Sequence, residues 1–151
     1  MQRSILRGLL RFGLGFFILA SGLGKALDEA GFVGVLRTYQ LGLPDTLLWP
    51  VALGVTAFEL AVGAWILSGR ALYAAGWAAA ALNLGYFVLL GVSLARGLEI
   101  QNCGCFGVFF ARPLRWYSPL EDLALVALSL LLVKTTSSKQ PSYLRSARAE
   151  R

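Results

Sequence analysis

Histidine is absent from the 151-residue sequence, and only 15% of the residues are charged. The absence of histidine removes both the commonest protein ligand for metals and the commonest general base. With so few charges, 57% hydrophobic residues and a mean hydropathy of +0.66, the sequence is too apolar for an ordinary soluble domain. No glycine-rich phosphate loop follows a predicted strand, so no cofactor is evident. The composition therefore predicts a compact protein embedded in a lipid bilayer, and it assigns no metal ligands.

Four apolar stretches approach the roughly 20 mostly apolar residues that cross a bilayer. The first is not interpreted as a cleaved signal peptide, because Lys25, Asp28 and Glu29 follow where small residues should form the cleavage site. We predict an all-α membrane protein, a bundle of four transmembrane helices within residues 1–134, and a basic, disordered cytoplasmic tail over 135–151. The four stretches are residues 9–27, 46–67, 71–95 and 119–133.

A shorter helix is predicted between the first two spans. Phe32, Val35, Leu36 and Tyr39 follow the i, i+3, i+4, i+7 spacing of one helical face. This pattern favours an amphipathic helix that lies at the membrane interface and ends before Pro44.

The distribution of basic residues predicts the orientation in the membrane. With the N-terminus inside, nine of the 14 lysines and arginines lie on the inner side, which favours an N-in/C-in topology. The formal net charge of +6 is therefore interpreted as a topology signal, and no nucleic-acid partner is predicted. The loop between the third and fourth spans then faces outward, on the periplasmic or extracellular side of an inner membrane, where disulfides persist.

That outward loop holds Cys103 and Cys105, the only two cysteines in the chain. A disulfide across one residue must bend the backbone, and Gly104 and Gly107 tolerate such a bend. So short a ring removes little unfolded-state entropy, and a strained, accessible disulfide tends to be labile. The pattern favours a redox-active dithiol, while Cu(I) binding by two thiolates and an inert structural pair remain open.

Charged and aromatic side chains flank the cysteine loop. Arg96 and Arg112, with Arg115, would lower the pKa of nearby thiols, or would anchor the loop to lipid headgroups. Phe106 and other aromatic residues close to it are typical of a membrane-surface belt. They would also suit an apolar platform for a partner protein or for a quinone ring.

Three polar side chains fall inside the predicted spans, where such groups are costly and are functional candidates by default. Glu59 lies in the middle of the second span, Asn83 in the third, and Lys25 near the end of the first. Lys25 is a candidate partner for Glu59. The group would serve either as a proton or quinone site linked to the cysteines or as a packing contact inside the bundle.

These segments together resemble the MauE family of methylamine-utilisation proteins, within the wider group of DoxX-like four-helix membrane proteins. The most specific element is "ARGLEIQNCGCFG", with its Arg-Gly and Cys-Gly-Cys-Phe-Gly loop. One departure is Asn102, where the family often has Asp, and the loss of that charge would ease thiolate formation. A second is "SPLEDLAL", where a basic residue is expected before the acid. The residues that carry over are Lys25, Asp28, Tyr39, Pro44, Glu59, Arg96, Gly97, Cys103, Gly104, Cys105, Phe106 and Gly107.

The resemblance implies a bacterial inner-membrane protein that helps to form disulfides in clients, alongside a thioredoxin-like periplasmic partner. In the family this role belongs to methylamine metabolism and to maturation of the light subunit of methylamine dehydrogenase. We therefore expect a membrane thiol–disulfide oxidoreductase with Cys103 and Cys105 as its redox pair, and a quinone is a candidate electron acceptor. A non-enzymatic scaffold or assembly factor and a thiolate copper carrier remain alternatives. The sequence predicts no oligomeric state.

Overall fold

The computed structural model describes residues 2–137, with side chains from Ser4 onward, so most of the predicted tail lies outside the described residues. Residues 135–137, the start of that segment, continue the last helix. The predicted all-α class is confirmed, because the described residues form five helices and no strand. The helices are α1 (Gln2–Leu27), α2 (Glu29–Thr38), α3 (Asp45–Ser68), α4 (Leu72–Ala95) and α5 (Ser118–Ser137).

Membrane character follows from three of these helices. Within the described part of the chain, Ser4–Leu27, Asp45–Ser68 and Leu72–Ala95 are long and apolar enough to cross a membrane. Helix α5 agrees with the fourth predicted stretch in position but is not among these three, so the four-span bundle stays a prediction. Helix α1 begins seven residues before the predicted span, since arginine is a good helix former and does not interrupt it.

The helices pack in two main pairs, α1 with α3 and α4 with α5, and α1 also contacts α5. Glycine permits the close approach in the first pair: a Cβ at Gly63 would lie 2.7 Å from the backbone nitrogen of Leu19. Small residues at such contacts let helices meet where lipid provides no hydrophobic driving force. One apolar core lies between these pairs and includes Leu14, Ile18, Val62, Ile66, Ala79 and Leu132.

Helix α2 forms the base on which the cysteine loop rests. The Asp28 side chain caps its N-terminus and accepts a 2.8 Å hydrogen bond from the backbone N–H of Gly31. The predicted apolar stripe is helical and buried, and it faces protein rather than an open surface. A second core joins this stripe to α3, α4 and the loop through Leu48, Leu90, Ile100 and Cys103. The predicted position of α2 at a membrane interface stays a prediction.

Candidate dithiol site and the buried ion pair beneath it

The cysteines lie in the loop between α4 and α5, which two backbone hydrogen bonds hold closed. The N–H of Cys103 donates to the carbonyl of Arg112 at 2.8 Å, and the N–H of Leu114 donates to the carbonyl of Ile100 at 2.8 Å. These two hydrogen bonds fix the loop backbone on both sides of the thiols. The cysteines are therefore presented by an ordered loop on a buried base.

Cys103 and Cys105 are free thiols with their Sγ atoms 3.0 Å apart. A disulfide bond needs about 2.05 Å between the sulfurs, so a small movement would join them. The two thiols differ in their surroundings: Cys103 is 8% exposed and packs in the core with α2, whereas Cys105 is half-buried and lines a cavity. The two sulfurs therefore lie side by side in unlike surroundings.

Gly104 supplies the bend that brings the thiols together. Its φ angle of +73° lies in the left-handed region, which favours glycine, and a Cβ there would lie 2.9 Å from Cγ1 of Val35. Gly107, with φ +67°, is pressed against the backbone of Gly24 on α1, where any side chain would collide with the Gly24 carbonyl. The loop thus needs glycine for both conformation and close packing.

Two polar side chains fix the loop further. Asn102 uses both ends of its amide: Oδ1 accepts from the N–H of Gly104 at 2.9 Å, and Nδ2 donates to the carbonyl of Gly107 at 3.1 Å. Tyr39, buried at the end of α2, donates its hydroxyl to the carbonyl of Cys103 at 2.6 Å. An aspartate at position 102 could not donate to Gly107, so this contact requires the asparagine amide.

The thiol pair is electrostatically asymmetric. The hydrogen bond from Cys105 stabilises the Cys103 thiolate and, with a smaller contribution from the charge of Arg112, lowers the pKa of Cys103 to about 6 despite its burial. The same hydrogen bond, together with burial and the neighbouring thiolate, raises the pKa of Cys105 above its usual value. The reduced pair therefore ionises once near neutral pH, at Cys103.

A buried ion pair lies directly beneath the loop and joins α1 to α3. Lys25 Nζ lies 2.8 Å from Oε2 of Glu59 and 3.0 Å from Oε1, and the two side chains are 0% and 1% exposed. The candidate partnership between Lys25 and Glu59 is thus confirmed. Lys25 also donates to Ser21 Oγ at 2.8 Å and to the carbonyl of Cys105 at 2.9 Å, so the ion pair contacts the dithiol loop itself.

Further hydrogen bonds surround the ion pair of Lys25 and Glu59. Tyr86 on α4 donates its hydroxyl to Oε1 of Glu59. The single hydroxyl proton of Ser21 has two acceptors within reach, the Cys105 carbonyl and, at 3.2 Å, Oε2 of Glu59. The Lys25 ammonium lies 5.3 Å from the ring centroid of Phe32 and 5.5 Å from that of Tyr86. A buried pair is tolerated when its hydrogen-bonding capacity is satisfied in this way. Ser21 and Tyr86 were not predicted as site residues, although Tyr86 lies one turn from Asn83.

The flanking arginines have different environments. Arg96 Nη1 donates to the carbonyls of Tyr39 and Gln40 at 3.1 and 3.2 Å, which satisfies the C-terminus of α2. Arg112 forms a 2.8 Å ion pair with Glu121, and it is the arginine whose charge helps to lower the pKa of Cys103. The predicted influence of Arg96 on the thiols stays a prediction.

A cavity of about 370 Å³ opens beside Cys105, between α1, α4, α5 and the loop. Asn83 and Tyr86 line it on the α4 side, and Asn83 donates to the carbonyl of Ala79 at 2.8 Å. Asp122 of α5 lines it as well, is 7% exposed, and has no hydrogen-bond partner for Oδ2 among the described residues. Sequence reasoning missed Asp122, although an acid near the start of an apolar helix was a usable signal.

Aromatic residues form the outer wall of this region. The Phe106 ring packs edge-on against Phe17, with centroids 5.0 Å apart, and against Phe110 at 6.3 Å. Phe109, Phe110 and Trp116 are largely exposed, as a membrane-surface belt would require. Within residues 2–137, no cluster of three or more Cys, Asp or Glu side chains is arranged to hold a metal ion.

The fold and site define a class: a helical membrane protein that carries a dithiol loop over a buried ion pair. Comparison with known sequences narrows this class. The chain belongs to the MauE family, since the family described as "Methylamine utilisation protein MauE" matches residues 3–135. A protein named "Methylamine utilization protein MauE" from Paracoccus denitrificans is 32% identical over 135 residues, which cover 89% of this chain and 72% of that protein. The resemblance inferred from the sequence is therefore confirmed. No solved structure matches the chain significantly.

Proposed function

We propose that this protein is a membrane thiol–disulfide oxidoreductase in which Cys103 and Cys105 exchange a disulfide with a thioredoxin-like protein or a client. The observation that carries this proposal is the pair of thiols 3.0 Å apart on a fixed loop, of which one ionises near neutral pH. Thiolate is the reactive form in exchange, and a low thiol pKa also makes a good leaving group.

The exchange proceeds through a mixed disulfide. A client thiolate attacks Sγ of Cys105, which faces the cavity, and the Cys103–Cys105 bond breaks with its electron pair leaving on Cys103. A second client thiolate then attacks the client sulfur of the mixed disulfide and releases Cys105. The client gains a disulfide and loses two electrons, and the pair in this protein gains them. Buried Cys103, stabilised as a thiolate, suits the leaving position.

The surrounding residues position the pair rather than react. Lys25, held by Glu59, donates to the Cys105 carbonyl, and Tyr39 donates to the Cys103 carbonyl, so both cysteine backbones are anchored. Gly104 allows the backbone to bend between the cysteines, and the Asn102 side chain hydrogen-bonds the backbone of Gly104 and of Gly107. The charge of Arg112 favours the Cys103 thiolate.

The proposed setting is a bacterial inner membrane with four spans, both termini inside and the dithiol loop on the periplasmic side. Helix α5 supports the fourth span, because its 20 residues rise about 30 Å, the thickness of a hydrocarbon core. Its extensive packing along α4 supports the same arrangement. The excess of basic residues near both ends of the sequence supports the orientation.

Family membership supports a client from methylamine metabolism. The relative from Paracoccus denitrificans is named for methylamine utilisation. Extending that association to this protein gives a client protein that acts in the same metabolism and is oxidised by the dithiol. The proposed partner is a periplasmic thioredoxin-like protein that carries disulfides between this site and the client.

The proposal is tested by trapping the thiols in membranes with a mass-adding alkylating reagent across a series of glutathione ratios. A reversible pair with a potential well above about −300 mV, the level typical of structural disulfides, supports an exchange centre. A pair that stays oxidised in strong reductant would instead indicate a structural bridge and a scaffold role.

The order of attack has its own readout. Oxidised protein is mixed with glutathione, quenched in acid, alkylated, and mapped by tandem mass spectrometry. We expect glutathione on Cys105 and the alkyl group on Cys103, because Cys105 is the thiol that faces the cavity. The reverse distribution would contradict the proposed order while leaving the exchange itself intact.

A further inference from the structure

The cavity beside Cys105 has a polar group that the protein does not satisfy. Oδ2 of Asp122 is buried and finds no hydrogen-bond donor among the described residues, although buried polar groups are normally paired. The cavity's volume of about 370 Å³ falls within the roughly 300–1,000 Å³ typical of small-molecule sites. Such a cavity with one unpaired group at its wall is the expected form of a ligand site.

The walls of the cavity indicate the chemical class of the ligand. Phe17 and Phe106 provide flat apolar surfaces, and Asn83, Tyr86 and Asp122 provide polar groups around them. Pockets with mostly apolar walls and a few placed polar groups bind small, largely apolar molecules in one orientation. Ala124 on the α5 wall is exposed, so the cavity opens on the side surface of the helices, where a lipid-soluble molecule would enter.

We propose that this cavity binds the head group of a membrane quinone, which takes two electrons from the Cys103–Cys105 pair through Cys105, with Asp122 as its proton-exchanging partner. This inference rests on the proposed function, because only a pair that oxidises clients must pass on the electrons it receives. The Cys103 thiolate and the Cys105 thiol together lose two electrons and one proton and become a disulfide. The quinone gains the two electrons, that proton and a second proton that Asp122 takes up from water, and becomes a quinol, so the step balances.

Asp122 suits the proton role better than Glu59, the acid that the sequence indicated. Both oxygens of Glu59 are occupied by Lys25, Ser21 and Tyr86, and Glu59 does not line the cavity. Asp122 lines it together with Cys105 and keeps one oxygen free of protein partners. A carboxyl in that position can hydrogen-bond a quinone oxygen and return a proton to it.

The test uses the full-length protein in nanodiscs and a short-chain ubiquinone. The reduced protein is mixed with the quinone, and quinone absorbance is followed while the thiols are counted by alkylation. We expect one quinone reduced per pair of thiols lost. Asp122→Asn should slow this step by about 100-fold or more, since a positioned acid–base group contributes that much. Wild-type rates in that variant would overturn the role of Asp122.

Binding is measured separately with an azido-quinone photolabel, on wild type and on a variant with both cysteines replaced by serine. Ala124→Phe should fill the cavity and cut labelling at least about 10-fold, while Ala127→Phe, an exposed position on the same helix outside the cavity lining, should not. Labelling that does not saturate, or that Ala124→Phe leaves unchanged, would overturn the site.

The two proposals fail in different ways. Wild-type protein that exchanges disulfides with glutathione but never reduces the quinone would overturn this inference and leave the proposed function standing. Wild-type protein that binds quinone but exchanges with no thiol would overturn the proposed function and the electron transfer that depends on it.

Discussion

Lys25 Nζ lies 2.9 Å from the carbonyl oxygen of Cys105, and this bond joins a buried ion pair to the backbone of the dithiol. The ammonium is simultaneously bound to both carboxylate oxygens of Glu59, which is anchored on a different helix. The position of the Cys105 backbone therefore depends on how α1 and α3 pack. This coupling explains why an apolar bundle retains two charges at a depth where they are costly.

The first prediction concerns the ion pair. Lys25→Met should lower the free energy of unfolding by about 3–5 kcal/mol, because the Glu59 carboxylate would stay buried without its counter-charge. The double variant Lys25→Met, Glu59→Gln should be less destabilised than the sum of the two single variants, since it leaves no unpaired charge. Thermal unfolding in detergent would check both values.

The exposed ion pair between Arg37 and Asp45 provides the matched control. Its atoms lie 3.4 Å apart and both side chains are largely solvent-exposed, so Arg37→Gln should change stability by no more than about 0.5 kcal/mol. If Lys25→Met proved as mild as this control, Lys25 and Glu59 would not form a stabilising unit in the membrane-embedded protein.

The second prediction concerns pH. The pKa of Cys103 in the folded, reduced protein is lowered to about 6 from an ordinary 9.0, chiefly by the Cys105 hydrogen bond. Thiolate absorbance at 240 nm should therefore show one ionisation per chain near pH 6. Because the folded pKa lies below the unfolded one, the reduced protein should gain stability as pH rises from about 6 to 9 and lose it as pH falls through 6.

Variants separate the causes of that shift. Cys105→Ala removes the hydrogen-bond donor and should move the ionisation of Cys103 back towards 9.0, whereas Arg112→Gln should move it less because the charge of Arg112 is a smaller cause. An ionisation that stays near 9 in the wild type would contradict the asymmetric pair.

Much of this architecture was predictable because hydropathy and helical periodicity are local properties. The stretches 46–67 and 71–95 agree closely with α3 and α4, and the apolar stripe of α2 lies on one helical face as its spacing predicted, although that face packs against protein. The partnership of Lys25 with Glu59 was also within reach, since a buried charge requires a partner.

The cavity and its lining could not be predicted in the same way. It exists only where α1, α4, α5 and the loop meet, and no local pattern reports how helices distant in sequence are arranged. The grouping of Asp122 and Tyr86 around Cys105 therefore could not be predicted, although the acid in an apolar helix was itself visible in the sequence. The charge of Arg96 was visible in the sequence but the direction of its side chain was not: the guanidinium hydrogen-bonds carbonyls at the end of α2.

The third prediction concerns Asn102. Asn102→Asp keeps the shape of the side chain but loses the donor to the Gly107 carbonyl, which should cost about 1 kcal/mol of stability. It also adds negative charge beside Cys103, so the ionisation of Cys103 should move to higher pH. The two effects are measured by thermal unfolding and by thiolate absorbance at 240 nm.

Gln101→Glu is the control for charge alone, because Gln101 is exposed and adjacent to Asn102 in the same loop. It should shift the ionisation of Cys103 slightly and leave stability unchanged. Equal effects of Asn102→Asp and Gln101→Glu on stability would show that the hydrogen bonds of Asn102 contribute nothing.

The fourth prediction separates backbone strain from steric collision at Gly104. Gly104→Ala should be destabilising for two reasons: its φ of +73° disfavours any side chain, and the new Cβ would lie 2.9 Å from Val35. Gly97→Ala carries the first penalty alone, of roughly 1–2 kcal/mol, since its φ is +69° and nothing lies within 4 Å of its Cβ position.

Adding Val35→Ala to Gly104→Ala should therefore relieve the collision but not the strain, so that the two changes are not additive in thermal unfolding of the reduced protein. The rate of disulfide exchange with glutathione should follow the same order, because displacement of Gly104 separates the two sulfurs that it brings together. If Gly104→Ala were no more harmful than Gly97→Ala on both measures, close packing of the dithiol loop on α2 would have no part in holding the pair.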